Sequence, residues 1–277
     1  MISGKEREVK GYEKYIGVGE FQIIGFNLTK DEIAKKCGYE VKQEPVYTRK
    51  TADGKDAINL TIFLKEISTG KNFKTSIFME DRERVSQDKK PQYVNEKAMS
   101  SYVVDGEKAA WFIKDKYRKA FVGEADLLNL IKNWLTNFNW FEDQDAKIDL
   151  DQTRNIITTG NVKVLNDIAT RYPKQTIGLC AGIKQSNGNE YQDVYNKAVA
   201  PGWAVSKIQE FNKNVSTEII DSQSSAIKQF LKQITGQYGY NNYYGDSFKF
   251  RVYDPKENLT NTTGIVTAGG IPEDTSY

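Results

Sequence analysis

Phe63, Lys65, Lys74 and Phe78 are the residues of this sequence whose types and spacing point most directly to chemistry. They occupy alternate positions on two neighbouring apolar runs, so two rings and two ammonium groups would share one face of a strand pair. That combination suits an unpaired nucleic-acid strand: rings stack on any base, and lysines follow the phosphates. Stacking contributes about 1–3 kcal/mol per base, so two rings would matter. The same pattern would also arise if a helix covered this face and buried both rings.

Other candidates follow along the chain. Arg82, Arg84, Lys89, Lys90 and Tyr93 come next, interleaved with Glu80, Asp81, Glu83 and Asp88. They read either as further phosphate contacts or as a solvated, salt-bridged loop. Glu80, Asp81 and Glu83 also have the chemistry to hold Mg²⁺ in a nuclease, but no matching acid-plus-lysine constellation stands elsewhere in the chain. Trp111, Lys114, Lys116, Tyr117, Arg118 and Lys119 form the most basic short run, broken by the single acid Asp115. It fits a groove wall tracking phosphates, or an amphipathic strand with its lysines in water. Tyr191, Tyr195 and Lys197 alternate with Gln192, Val194 and Asn196, and line either a core or a binding face.

The elements that must position these residues are legible in part. Residues 15–26 are rich in β-branched and aromatic types, with glycines that permit bending, and predict a curved first strand. Thr29-Lys30-Asp31-Glu32 is a capping box opening a short helix that Gly38 closes. Residues 40–56 are polar and loop-like, with a turn at Ala52-Asp53-Gly54. Ile58, Leu60, Ile62 and Leu64 alternate with polar partners and Phe63, as do Phe73, Thr75, Ile77 and Met79 with theirs. With the turn Ser68-Thr69-Gly70-Lys71 between them, these runs predict a β-hairpin. Residues 80–97 are highly charged and predict a loop, and 114–123 a strand.

Leu127, Ile131, Trp134, Leu135 and Phe138 share a helical face. A second helical region is expected over 153–171, interrupted by Gly160. Residues 175–184 and 190–199 flank a strong turn signal and predict a second hairpin. Ile227, Phe230, Leu231 and Ile234 mark a late helix stopped by Gly236, and 248–253 a short strand. From Glu257 the chain has no Lys or Arg and reads as a flexible tail. The predicted class is α+β: a single domain over 1–256, an OB-like antiparallel β-barrel elaborated with helical insertions near 124–171 and 203–236, then the tail 257–277.

Composition removes whole classes of function. The 277 residues carry 39 Lys+Arg, 37 Asp+Glu and no histidine, for a net charge of +2. Without histidine the commonest general base, the Ser-His-Asp and Cys-His arrangements and most transition-metal sites are gone. Cys37 and Cys180 lack the spacing of a zinc site, so two free thiols are expected. Neither a phosphate-binding glycine loop nor a dinucleotide fingerprint follows a strand. No apolar run approaches the roughly 20 residues of a membrane span, and the first residues lack a signal-peptide core. These features predict a non-enzymatic cytoplasmic protein with no cofactor and no metal. A near-neutral balance means that any nucleic-acid contact must rest on a local stripe rather than a general basic coat.

Several phrases occur in order: Tyr15-Ile16-Gly17-Val18-Gly19-Glu20, Phe78-Met79-Glu80-Asp81, Lys90-Pro91-Gln92-Tyr93-Val94-Asn95, and the run from Tyr117 to Glu124 leading into residues 127–135. After these come Tyr191-Gln192-Asp193-Val194-Tyr195-Asn196-Lys197, Pro201-Gly202, and residues 252–258. In this order the chain resembles the single-stranded DNA-binding proteins of tailed bacteriophages, particularly those infecting Bacteroides-type hosts. The resemblance implies an OB-like barrel that coats single-stranded DNA during phage replication and recombination in the host cytoplasm. Phage replication proteins are further partners it suggests, through a C-terminal tail whose acidic tip is only Glu273-Asp274. The competing class is a structural or interaction protein of the phage particle, which the 16 Tyr and 13 Phe also suit.

Overall fold

The computed structural model describes residues 17–86, 88–96, 100–104, 117–136, 148–186, 189–210 and 217–234. Its centre is one antiparallel sheet of β1 (Gly17–Phe26), β2 (Thr48–Lys50), β3 (Asp56–Glu66), β4 (Asn72–Glu83), β8 (Phe121–Val122), β9 (Thr176–Ser186) and β10 (Asn189–Pro201). The order is β10-β9-β1-β3-β4-β8, with β2 paired to β3. The sheet curls until β10 approaches β4, so the architecture is α+β with a half-barrel. A second antiparallel sheet holds β5 (Gln92–Asn95) between β6 (Ser100–Val103) and β7 (Tyr117–Lys119).

The predicted hairpin is present as β3 and β4, in the register Ile58↔Met79 through Leu64↔Phe73. Because side chains alternate across a strand, Ile58, Leu60, Ile62 and Leu64 all point inward and are at most 1% exposed. Phe21, Ile23 and Phe26 from β1 and Ile177, Leu179 and Ala181 from β9 join them. Three helices close this inner face: α2 (Glu124–Trp134), α3 (Leu150–Thr159) and α4 (Lys163–Arg171). The expected interruption at Gly160 is real. This residue ends α3 in the left-handed region at φ 71°, where a glycine pays no Cβ penalty. Asp149 caps the same helix through a capping box with Gln152, and the helix begins at Leu150, three residues before the predicted start.

The outer face is covered in two places. Where β1, β9 and β10 lie, Val18, Cys180, Ala198 and Ala200 pack beneath α5 (Val205–Gln209), α6 (Thr217–Asp221) and α7 (Ser225–Ile234). Ile227, Phe230, Leu231 and Ile234 supply the apolar side of α7, as their spacing predicts. Further along the sheet, α1 (Lys30–Cys37) lies over β3 and β4. Its position follows from Asn27, which sits at φ 43° and binds β3 twice: its N–H donates to the Thr61 carbonyl at 2.9 Å, and its Oδ1 accepts from Thr61 N–H at 2.8 Å. Asparagine tolerates this left-handed turn better than most residues. Thr29 and Glu32 then cap α1 as predicted, and Gly38 ends it.

Several elements differ from the sequence reading. Residues 48–50 form a short edge strand inside the expected loop. β4 runs on to Glu83, and β5 lies within the charged stretch expected to be a loop. The predicted strand over 114–123 is described from Tyr117 and is two short pieces, β7 and β8. The second hairpin is longer than expected, and β10 carries a bulge between Val194 and Val199 with Lys197 at φ 51°. The late strand, the tail, Phe138 and Gly236 lie outside the described residues.

Candidate nucleic-acid interface

Phe63 was expected on a wet face, and the structure places it under α1. It is 4% exposed and packs with Leu28, Ile33 and Cys37. Asn72 Nδ2 fixes the end of that helix by donating to the Cys37 carbonyl at 2.6 Å, and the Tyr47 hydroxyl donates to the Leu28 carbonyl at 2.6 Å. Phe63 is therefore core, and no base reaches it. Its strand neighbours are not covered. Lys65 and Lys74 are exposed, and Phe78 is half-buried.

The open part of the outer face begins where α1 ends. Cross-strand pairing puts Phe63 opposite Lys74, Thr61 opposite Ser76, and Asn59 opposite Phe78. Arg49 on β2 pairs with Ala57 on the same face and brings its guanidinium 5.2 Å from the centre of the Phe78 ring. A guanidinium at that distance is attracted to the ring quadrupole. Arg49 stood in a segment read as loop, so only its being next to a strand could have marked it. Arg49, Lys65 and Lys74 make no ion pair with any described residue.

The remaining expected cations divide sharply by their partners. Arg82 pairs with Glu80 at 2.9 Å, and Lys119 with Glu83 at 2.6 Å. That partner raises the Lys119 pKa above its ordinary value. Lys197 pairs with Asp126 at 2.6 Å. Arg84 is exposed without an ion pair among the described residues. The carboxylates weighed as a Mg²⁺ site are held separately, Glu80 by Arg82, Glu83 by Lys119 and Asp81 by Arg154 at 3.7 Å.

Arg118 is the largest departure from the expected phosphate track. Its guanidinium forks onto Glu124, with Nη1 donating to Oε2 at 2.9 Å and Nη2 to Oε1, while Nε donates to Glu96. Glu124 is 1% exposed and also accepts from the Phe121 backbone N–H at 2.9 Å and the Thr153 hydroxyl at 3.2 Å. Burial draws the Arg118 pKa down, but the two carboxylates outweigh it and leave the pKa above its ordinary value. Arg118 and Arg154 both stand over the Phe121 ring, at 5.8 and 5.4 Å. Arg118 thus joins the second sheet to α2 and α3.

Tyr93 is 2% exposed at the centre of the second sheet. It pairs across the strands with Tyr102 on one side and Lys119 on the other. Tyr117 lies two residues along on the same face, opposite Asn95, and its ring meets that of Tyr102 edge to face at 5.8 Å. Tyr102 was not among the expected residues; Ser100-Ser101-Tyr102-Val103 is too short a run to announce a strand. Trp111 and Lys116 lie outside the described residues, as do the side chains of Tyr191 and Tyr195.

The structure therefore does not gather all the predicted residues into one groove. It leaves an open polar strip around Arg49, Lys74 and Phe78, and a tyrosine face on the second sheet. No helix among the described residues is long and apolar enough to cross a membrane. No family model matches this chain, and neither a curated protein nor a solved structure matches it.

Proposed function

We propose that this chain binds single-stranded DNA without regard to sequence, on the open outer face of β2, β3 and β4, and that the half-barrel is OB-like. The observation that carries this reading is the set of three exposed cations, Arg49, Lys65 and Lys74, without carboxylate partners among the described residues, on the face that presents Phe78. Of the other cations expected to meet DNA, Arg82, Arg118, Lys119 and Lys197 are instead held by carboxylates, so the charge on this face is a local feature. A half-buried ring beside such cations stacks on any base, which makes the binding indifferent to sequence. The resemblance to phage single-stranded DNA-binding proteins supports a role in phage DNA replication or recombination in the host cytoplasm, without catalysis and without a cofactor.

Fluorescence anisotropy with labelled oligo-dT at two salt concentrations tests the reading. Affinity is expected to fall as salt rises, because phosphate contacts release counterions. Arg49→Ala and Lys74→Ala should each lower the slope of log K against log salt by about 0.7, the value for one contact to a single strand. Both side chains are exposed, so melting temperature should hardly move. Absence of binding at low salt would sink the proposal. It would favour the second reading, an interaction protein of the phage particle, which the extensive pairing of cations with carboxylates also suits.

A further inference from the structure

We infer that Arg49 is a placeholder for a nucleobase on the Phe78 ring. In the free chain its guanidinium lies over the ring. When a single strand binds, it yields that place to a base and turns to a phosphate, an exchange that rests on the single-strand reading above. Arg49 and Phe78 meet across β3. Arg49 is opposite Ala57 and Phe78 opposite Asn59, so the two lie on a diagonal of one face with an alanine between them. Ala57 carries only a methyl group and is 0% exposed, which fits a long side chain lying across it. The guanidinium carbon comes to 5.2 Å from the ring centre.

The neighbouring carboxylates leave Arg49 no other partner. Asp56 is taken by Lys50 at 2.6 Å, and Glu80, opposite the same Ala57, by Arg82 at 2.9 Å. Among the described residues, the ring contact is therefore all that holds the Arg49 guanidinium. At an exposed site such a contact is worth about 2- to 5-fold in an equilibrium. A base stacked on an aromatic ring is worth about 5- to 150-fold. The base therefore wins the ring. The released guanidinium keeps its charge and its exposed stem, and its fork of donors matches a phosphate. One side chain thus links the two contacts: uncovering the ring for a base is what frees the cation for the backbone.

NMR of arginine side chains in the full chain, together with oligo-dT titrations over a range of salt, tests the exchange. The Arg49 side-chain resonances, assigned by their absence from Arg49→Ala, should be shifted upfield by the ring in the free chain. Phe78→Leu should abolish that shift, and so should oligo-dT added to the unaltered chain. Arg49→Ala uncovers the ring and removes the cation. It should bind oligo-dT more weakly than the unaltered chain at about 0.05 M salt, yet about 2- to 5-fold more tightly at about 1 M, where a phosphate contact contributes little. In the Phe78→Leu background the same change should show only the low-salt loss, because no ring is left to uncover. Melting curves identify the temperature at which every variant is folded, and the titrations are run there. Weaker binding of Arg49→Ala at every salt concentration would overturn the exchange. So would a high-salt gain that survives Phe78→Leu, or an unshifted Arg49 resonance in the free chain. Each of these leaves the single-strand reading standing. If the unaltered chain fails to bind at low salt, that reading falls and takes the exchange with it.

Discussion

Arg118→Ala is expected to destabilise the fold by about 3–5 kcal/mol, the range for removing one partner of a buried ion pair. The loss arises on the other side of the pair. Glu124 is 1% exposed, and without the guanidinium its charge is stranded beside Phe121 and Thr153. Adding Glu124→Gln removes that charge while keeping an acceptor for the Phe121 N–H, so the double variant should recover part of the deficit. Urea denaturation of the unaltered chain, Arg118→Ala and the double variant checks this. The salt dependence of oligo-dT binding should not change in Arg118→Ala, measured where the protein is folded. Near-wild-type stability with a flattened salt slope would mean that Arg118 faces the strand after all.

Phe63→Ala should also cost about 3–5 kcal/mol, as large-to-small changes in packed aromatic positions do. The ring is enclosed by Leu28, Ile33 and Cys37, and deleting it opens a cavity between α1 and β3. Phe63→Leu should lose much less, because it refills most of that space. Neither variant should alter oligo-dT affinity below its melting transition. A measured loss of affinity with an unchanged melting curve would put the ring on the surface and contradict its packing. Together with the Arg49 and Lys74 variants, this divides the cationic and aromatic residues of the chain into those that hold it together and those that face outward.

The sequence disclosed the elements whose pattern is local. Alternation over 58–64 and 73–79, the capping box at Thr29 and the apolar spacing of Ile227 to Ile234 each recur as predicted, because each depends on neighbours a few residues away. What covers a face depends on distant residues. Whether Phe63 meets water is decided by Asn27, whose two hydrogen bonds to Thr61 send α1 back across the hairpin. The charged stretch after Met79 looked like loop because its strands carry polar groups on both sides. Its charged groups satisfy one another, as Arg82 and Glu80 do, and residues far along the chain, as Glu83 does with Lys119 and Asp81 with Arg154. For the same reason Arg118 and Lys119 do not form an open cationic surface. Arg49 and Tyr102 escaped notice because each lies on a strand of only three or four residues.

The two cysteines lie under different covers. Cys37 belongs to the small cluster beneath α1, and Cys180 to the cluster beneath α5, α6 and α7, where burial pushes its thiol pKa far up. A thiol reagent must wait for the local lid to lift, so each sulfur keeps time for its own region. Alkylation of Cys37 should quicken with Phe63→Ala while Cys180 lags behind, unless the whole chain opens as one body and both react in step.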